Sequence, residues 1–126
     1  MSTVITFGTF DLFHIGHLNI LKKCKEFGNY LIVGVSSDEL NIKKSKKSII
    51  SLKDRLEIIK SIKYVDEVFI EESLELKDEY IKRYKADILI MGDDWENKFN
   101  WVSCKVIYVK RTPDISTTYL KNTFKN

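Results

Sequence analysis

Apolar residues in this chain fall into short continuous runs that alternate with stretches where they recur every three or four positions. Val4-Ile5-Thr6-Phe7 is a run ended by Gly8, and Leu18, Leu21 and Cys24 with Lys25 then follow at helical spacing until Gly28-Asn29. Tyr30 to Val35 (YLIVGV) is a continuous apolar run of strand length, the pattern of a strand covered on both faces of a parallel sheet. Asn41 to Ser48 reads as a polar, lysine-rich loop. Ser51 then caps a helix carrying Leu52, Leu56, Ile59 and Ile62. The same reading predicts a third strand over Val65 to Ile70, a third helix over Leu76 to Tyr84, and strands at Ile88 to Met91 and Val106 to Val109. A terminal helix with Leu120 and Phe124, capped by Ser116, completes the chain.

Strands that alternate with helices, most of them too far apart for hairpins, require right-handed crossovers. The predicted fold is therefore α/β, a doubly wound and mainly parallel five-stranded sheet with helices on both faces, as one domain over residues 1–126. Ligands of such sheets bind beyond the carboxyl ends of the strands, where the strand order reverses. The loops after the first, fourth and fifth strands are where chemistry is expected.

Composition narrows the class. With 126 residues, 44% of them hydrophobic, the chain can bury one real core, and a single proline with five glycines argues against disorder or a collagen-like repeat. No apolar run approaches the roughly 18 residues of a membrane span, and Met1-Ser2-Thr3-Val4 lacks a signal-peptide layout, so a cytoplasmic protein with no membrane partner is expected. Cys24 and Cys104 are far apart in sequence and both histidines lie elsewhere. Neither a disulfide nor a metal site is indicated, and both cysteines read as packing residues. The net charge of +3 is too mild to imply nucleic acid, and no broad basic face or interleaved aromatic pattern supports RNA binding. Lys43, Lys44, Lys46 and Lys47 nevertheless form a tight cluster suited to an anionic ligand, whereas Glu71 to Glu79 is locally acidic.

Both histidines sit in the loop after the first strand, Gly8-Thr9-Phe10-Asp11-Leu12-Phe13-His14-Ile15-Gly16-His17, flanking a glycine at a helix entrance. A helix N-terminus favours phosphate through its free N–H groups and dipole, and glycine allows close approach to the backbone. Two imidazoles at that place point to a phosphate site.

GTFD followed by H-I-G-H resembles the nucleotidyltransferase superfamily that shares its HxGH signature with class I aminoacyl-tRNA synthetases. Tyr64-Val65-Asp66-Glu67-Val68, Met91-Gly92-Asp93-Asp94-Trp95-Glu96, and Arg111-Thr112 with Ile115-Ser116-Thr117-Thr118 narrow the resemblance to the glycerol-3-phosphate cytidylyltransferases, in order and spacing over nearly the whole chain. The resemblance implies a Rossmann-like nucleotidyltransferase fold and transfer of CMP from CTP to glycerol 3-phosphate, giving CDP-glycerol and pyrophosphate. It places His14, His17, Lys44 and Lys46 at the catalytic positions and Gly8, Thr9, Phe10, Asp11, Gly16, Gly92, Arg111, Thr112, Ser116 and Thr117 around CTP. Arg55, Lys63 and Asp94 fall at the acceptor end. Mg2+ is expected to be carried with CTP, without direct protein ligands, and a homodimer is expected.

Each assignment has a plainer reading beside it. Asp11 is equally a loop carboxylate accepting backbone N–H groups, Arg55 a surface ion-pair partner of Asp54 or Glu57, Ser116-Thr117 an ordinary helix cap, and Trp95 a packing residue. Lys63 stands where these enzymes usually carry arginine, Leu74 where tryptophan is typical, and Pro113-Asp114 where a Glu-Gly pair is usual. These departures leave open other phosphorylated small alcohols, such as ribitol phosphate, phosphoethanolamine or phosphocholine. A nucleotide-binding module without turnover is the reading from a different class.

Overall fold

Residues 2–124 are described by the structure, a computed structural model, in which the apolar runs become five strands. These are β1 (Thr3–Gly8), β2 (Tyr30–Ser36), β3 (Glu67–Glu71), β4 (Ile88–Gly92) and β5 (Lys105–Val109). The helices are α1 (Ile15–Phe27), α2 (Asp38–Lys43), α3 (Leu52–Lys60), α4 (Lys77–Arg83) and α5 (Thr117–Thr123), and a single 3-10 turn covers Asp93–Trp95. The sheet order is β3-β2-β1-β4-β5 and every pair is parallel.

Successive strand residues point to opposite faces, and both faces are covered. Val4, Leu31, Val33 and Ile90 pack with Leu21 and Cys24 of α1 and Ile59 of α3 in one cluster. Ile5, Ile32, Leu89 and Met91 pack with Tyr80 and Ile81 of α4 and with Phe99 and Val102 in the other. The reason lies in the chirality of the crossovers. From β1 to β3 the chain steps in one direction across the sheet, and from β3 to β4 it returns past β1. Right-handed connections then place α4 on the face opposite α1 and α3. The order reverses between β1 and β4, so their carboxyl ends diverge into a crevice.

Several elements differ from the sequence expectation, and α3 ends at Lys60, which leaves Ile62 beyond it. Residues 38–43 form a short helix instead of extending the lysine loop, with Ser37 Oγ accepting the N–H of Leu40 and with Leu40 and Asn41 buried. One helical turn and a half is too short to show as a period. β3 starts at Glu67 rather than Val65, because the N–H of Val65 bonds back to Ile62 and the Asp66 carboxylate accepts the N–H of Leu31 at 2.8 Å. The last helix ends at Thr123, with Phe124 as its cap and largely exposed. Both cysteines are free thiols; burial pushes that of Cys24 up to about 12, as suits a packing residue.

Candidate active site

The chain leaves β1 through a tightly wound loop. Phe10 and Leu12 both adopt left-handed backbone conformations, with φ of 55° and 48°, which bulky residues rarely do unless their surroundings impose it. The Phe10 ring is buried and folds back under Gly8, where an added Cβ would lie 2.9 Å from the ring. Gly8 is thus required by Phe10. Asp11 is buried, and its carboxylate accepts the N–H groups of Ile49 and Ile50 at 2.8 Å each, with Lys121 Nζ 3.5 Å away. Its plainer sequence reading describes this geometry: it fastens the far end of the lysine loop to the β1 loop.

His14 is the N-cap of α1. Its Nδ1 accepts the N–H of Gly16 at 3.0 Å, and Nδ1 of His17 accepts the N–H of His14 at 3.2 Å, so the two rings form a reciprocal capping box. The rings stack with centroids 3.8 Å apart, and Phe10 and Phe13 flank His17. Burial, then the neighbouring His14 charge, pulls the His17 pKa down to about 3, with Asp11 opposing; burial also lowers that of His14. Both rings are therefore neutral at pH 7. Because each Nδ1 is an acceptor, the one ring proton must sit on Nε2, and each imidazole offers a single N–H donor. Gly16 leaves room for this arrangement, since a Cβ there would lie 2.8 Å from the His14 ring.

The lysine loop turns back toward the sheet after α2. Lys44 and Lys46 both donate their N–H groups to the carbonyl of the buried Asn41, and Asn41 Oδ1 accepts the Thr9 hydroxyl at 3.0 Å. Lys44 Nζ reaches Ser36 Oγ at 3.0 Å and Thr9 Oγ1 at 3.3 Å. Burial is the main cause that lowers its pKa to about 8; Glu71 opposes, while Lys46, Lys77 and Arg55 add to the fall. Lys43 stays exposed, and Lys46 and Lys47 reach the rim of the crevice.

These elements enclose a cavity of about 410 Å³ at the carboxyl ends of β1 and β4, well within the size range of small-molecule sites. The two histidines, Lys44, Lys46, Gly92, Arg111, Thr112, Ser116 and Thr117 all line it. Asp94, an exposed residue, also lines it, and Arg111 forms a 3.5 Å ion pair with Asp93. Ser116 Oγ accepts the N–H of Tyr119, and the Thr117 hydroxyl donates to the Asp11 carbonyl, tying the start of α5 to the β1 loop. At the floor, fully buried Lys77 pairs with Glu71 at 2.7 Å, its ammonium 3.7 Å from the Phe7 ring centroid.

A phosphate-binding crevice at a switch point is common to several nucleotide-binding folds, and comparison with known proteins separates them. The profile of the family described as cytidylyltransferase-like matches residues 5–123. The chain belongs to the cytidylyltransferase-like family. Among similar family members, glycerol-3-phosphate cytidylyltransferase of Bacillus subtilis is 46% identical over 123 residues, which span 96% of this chain and 95% of that protein. The Staphylococcus aureus protein of the same name is 44% identical, over 96% of this chain and 93% of its own length. Among solved structures, the lipopolysaccharide core biosynthesis protein of Thermoplasma volcanium superposes with a TM-score of 0.77 at 26% identity, over 89% of this chain and 98% of that one. The doubly wound, all-parallel sheet is thus that of a Rossmann-like nucleotidyltransferase.

Within this cytidylyltransferase-like site, the structure gathers fifteen of the seventeen residues singled out from sequence around one cavity, and two lie elsewhere. Arg55 is fully buried. Its guanidinium donates to the carbonyls of Thr9, Ser36 and Ile50 and to the Asp38 carboxylate, so four of its five N–H groups are engaged within the protein. It pairs with Asp38 rather than with Asp54 or Glu57, and it does not line the cavity. Lys63 is exposed and outside the cavity, its ammonium 5.2 Å over the Tyr64 ring. Sequence reasoning missed Ser36, Asn41, Glu71 and Lys77. The one available signal was position, because Ser36 and Glu71 end β2 and β3 beside the switch point. Lys77 stood in an acidic stretch with nothing to mark it.

Proposed function

We propose that this chain is a glycerol-3-phosphate cytidylyltransferase, which transfers CMP from CTP to glycerol 3-phosphate and releases CDP-glycerol and pyrophosphate. The reading rests on one observation above all: two neutral imidazoles with free Nε2–H groups converge with Lys44 and Lys46 on a single cavity. The near full-length similarity to enzymes of that name supports glycerol 3-phosphate as the acceptor.

The acceptor phosphate, already anionic at neutral pH, attacks the α-phosphorus in line with the departing pyrophosphate, so no protein nucleophile is required. Catalysis then consists of positioning and charge stabilisation. His14 and His17 donate Nε2–H to the phosphate oxygens on which charge builds. As neutral donors held by their own capping bonds, they need no reorganisation when the charge develops. Lys44 and Lys46 balance the negative charge of donor and acceptor, and the N–H groups at the start of α1 face the triphosphate. Arg111, Thr112, Ser116 and Thr117 hold the nucleotide, while Asp94 accepts hydrogen bonds from acceptor hydroxyls.

Among the described residues, no group of three or more His, Cys, Asp or Glu side chains converges as a metal site. Asp11 and Glu71 are engaged by backbone amides and by Lys77. We propose that Mg2+ enters as part of the substrate, MgCTP. No helix among the described residues is long and apolar enough to cross a membrane. We place the enzyme in the cytoplasm as a homodimer that supplies CDP-glycerol for a surface polymer such as teichoic acid or capsule.

The test is pyrophosphate release from MgCTP with glycerol 3-phosphate, ribitol phosphate, phosphoethanolamine and phosphocholine in parallel. Turnover with glycerol 3-phosphate at the highest kcat/KM is expected. Turnover only with another acceptor rejects the acceptor assignment, and CTP binding without turnover of any acceptor rejects the reaction.

A further inference from the structure

At the carboxyl ends of β2 and β3, Ser36 and Glu71 are register partners, and both are buried. Glu71 uses its two carboxylate oxygens on different neighbours. Oε2 meets Lys77 Nζ at 2.7 Å, and Oε1 accepts the Ser36 hydroxyl at 3.3 Å. Ser36 Oγ in turn accepts Lys44 Nζ at 3.0 Å. One carboxylate thus stands between two lysines that both line the cavity, one gripped directly and one through a hydroxyl. We propose that Glu71 is a positioning residue of this site, which holds Lys77 directly and Lys44 through Ser36 so that both ammonium groups stay charged and aimed into the cavity before any anion arrives.

The surroundings make a single shared carboxylate consequential. Lys44 is faced by Lys46 from its own loop, by Lys77 from α4 and by Arg55 from α3, and Asp38 is occupied by Arg55. From the β1 side it meets the uncharged Thr9, while Asp11 is turned toward Ile49 and Ile50. Glu71 is therefore the anion that balances this cationic group. Lys77 lies between the rings of Phe7 and Phe99, at 3.7 and 4.5 Å from their centroids, and these stabilise an ammonium without neutralising it. With Glu71 removed, like charges in a partly desolvated cavity would repel, and lysine relieves such repulsion by losing its proton.

The inference concerns the charge state of Lys44, and only its effect on turnover depends on the reaction proposed above. The test is NMR titration of full-length protein carrying [ε-13C]lysine, with the Lys44 signal assigned by its loss in Lys44→Arg. The unsubstituted protein is expected to show a Lys44 midpoint near 8. Glu71→Gln should move it toward acid by about one pH unit or more, and Ser36→Ala, which leaves the Glu71–Lys77 pair intact, should move it the same way by less. Glu71→Asp should restore part of the shift. The basic limb of kcat/KM should follow the NMR midpoint in each variant. An unchanged Lys44 midpoint in Glu71→Gln and Ser36→Ala overturns the proposal, and if Glu71→Gln does not fold, Ser36→Ala decides alone. A midpoint that shifts in a protein showing no cytidylyl transfer would sink the reaction and leave this inference standing.

Discussion

Nδ1 of His17 accepts the backbone N–H of His14 at 3.2 Å while the two rings stack at 3.8 Å, so one histidine fixes the conformation from which the other works. The same Nδ1 atoms that cap the helix dictate which nitrogen carries the proton. One nitrogen of each ring serves the backbone, and the other leaves its N–H for a ligand. The capping half can be kept while the donor half is removed.

Asparagine is the substitution that makes this division measurable, because its side-chain oxygen can take the place of Nδ1 while nothing reaches the place of Nε2. His14→Asn and His17→Asn should each lower kcat by about 10²-fold or more, as for loss of a transition-state donor, with a Tm close to that of the unsubstituted protein. The alanine variants should lose similar activity and also the cap, at about 1 kcal/mol of stability. Steady-state rates and thermal melts on all four variants check this. An asparagine variant with near-normal kcat would remove the donor role.

Stability should fall on mild acidification. A histidine whose folded pKa lies near 3 and whose unfolded value is about 6.5 binds its proton only in the unfolded chain throughout that window. Below the unfolded value, falling pH therefore favours unfolding, and above it the term vanishes. Urea midpoints should decline between about pH 7 and pH 4.5, and His17→Asn should flatten that decline. A slope identical in the two proteins would place the acid sensitivity elsewhere.

Arg55 is expected to act on folding rather than on the acceptor. Arg55→Met strands the carbonyls of Thr9, Ser36 and Ile50 and frees Asp38, a loss on the order of 3 kcal/mol. Chemical denaturation should report that loss, and the acceptor KM of the remaining folded protein should stay within about threefold of the unsubstituted value. A large rise in acceptor KM without loss of stability would restore the role first read from sequence.

Lys63→Arg provides a contrasting case. The ammonium is exposed and outside the cavity, so the substitution should leave both CTP and acceptor kinetics within experimental scatter. Steady-state kinetics for each substrate decide it; an acceptor-selective change would require Lys63 to reach a site through an arrangement other than the single chain.

The alternating periods of apolar residues were sufficient to specify strands, most helices and a parallel sheet, because each depends on near neighbours in the chain and on the handedness of L-residues. The GTFD and HIGH segments likewise located the cavity, since a strand end and a helix start are fixed points in such a sheet. What the chain order could not express were pairings across it. Arg55 looked available until the ends of β1 and β2 closed around its guanidinium, and Glu71 and Lys77 stood in a stretch marked only as locally acidic. Whether a charged side chain serves a ligand or its own backbone depends on which acceptors tertiary packing brings within about 3 Å of it, and that distance is set by residues far away in sequence.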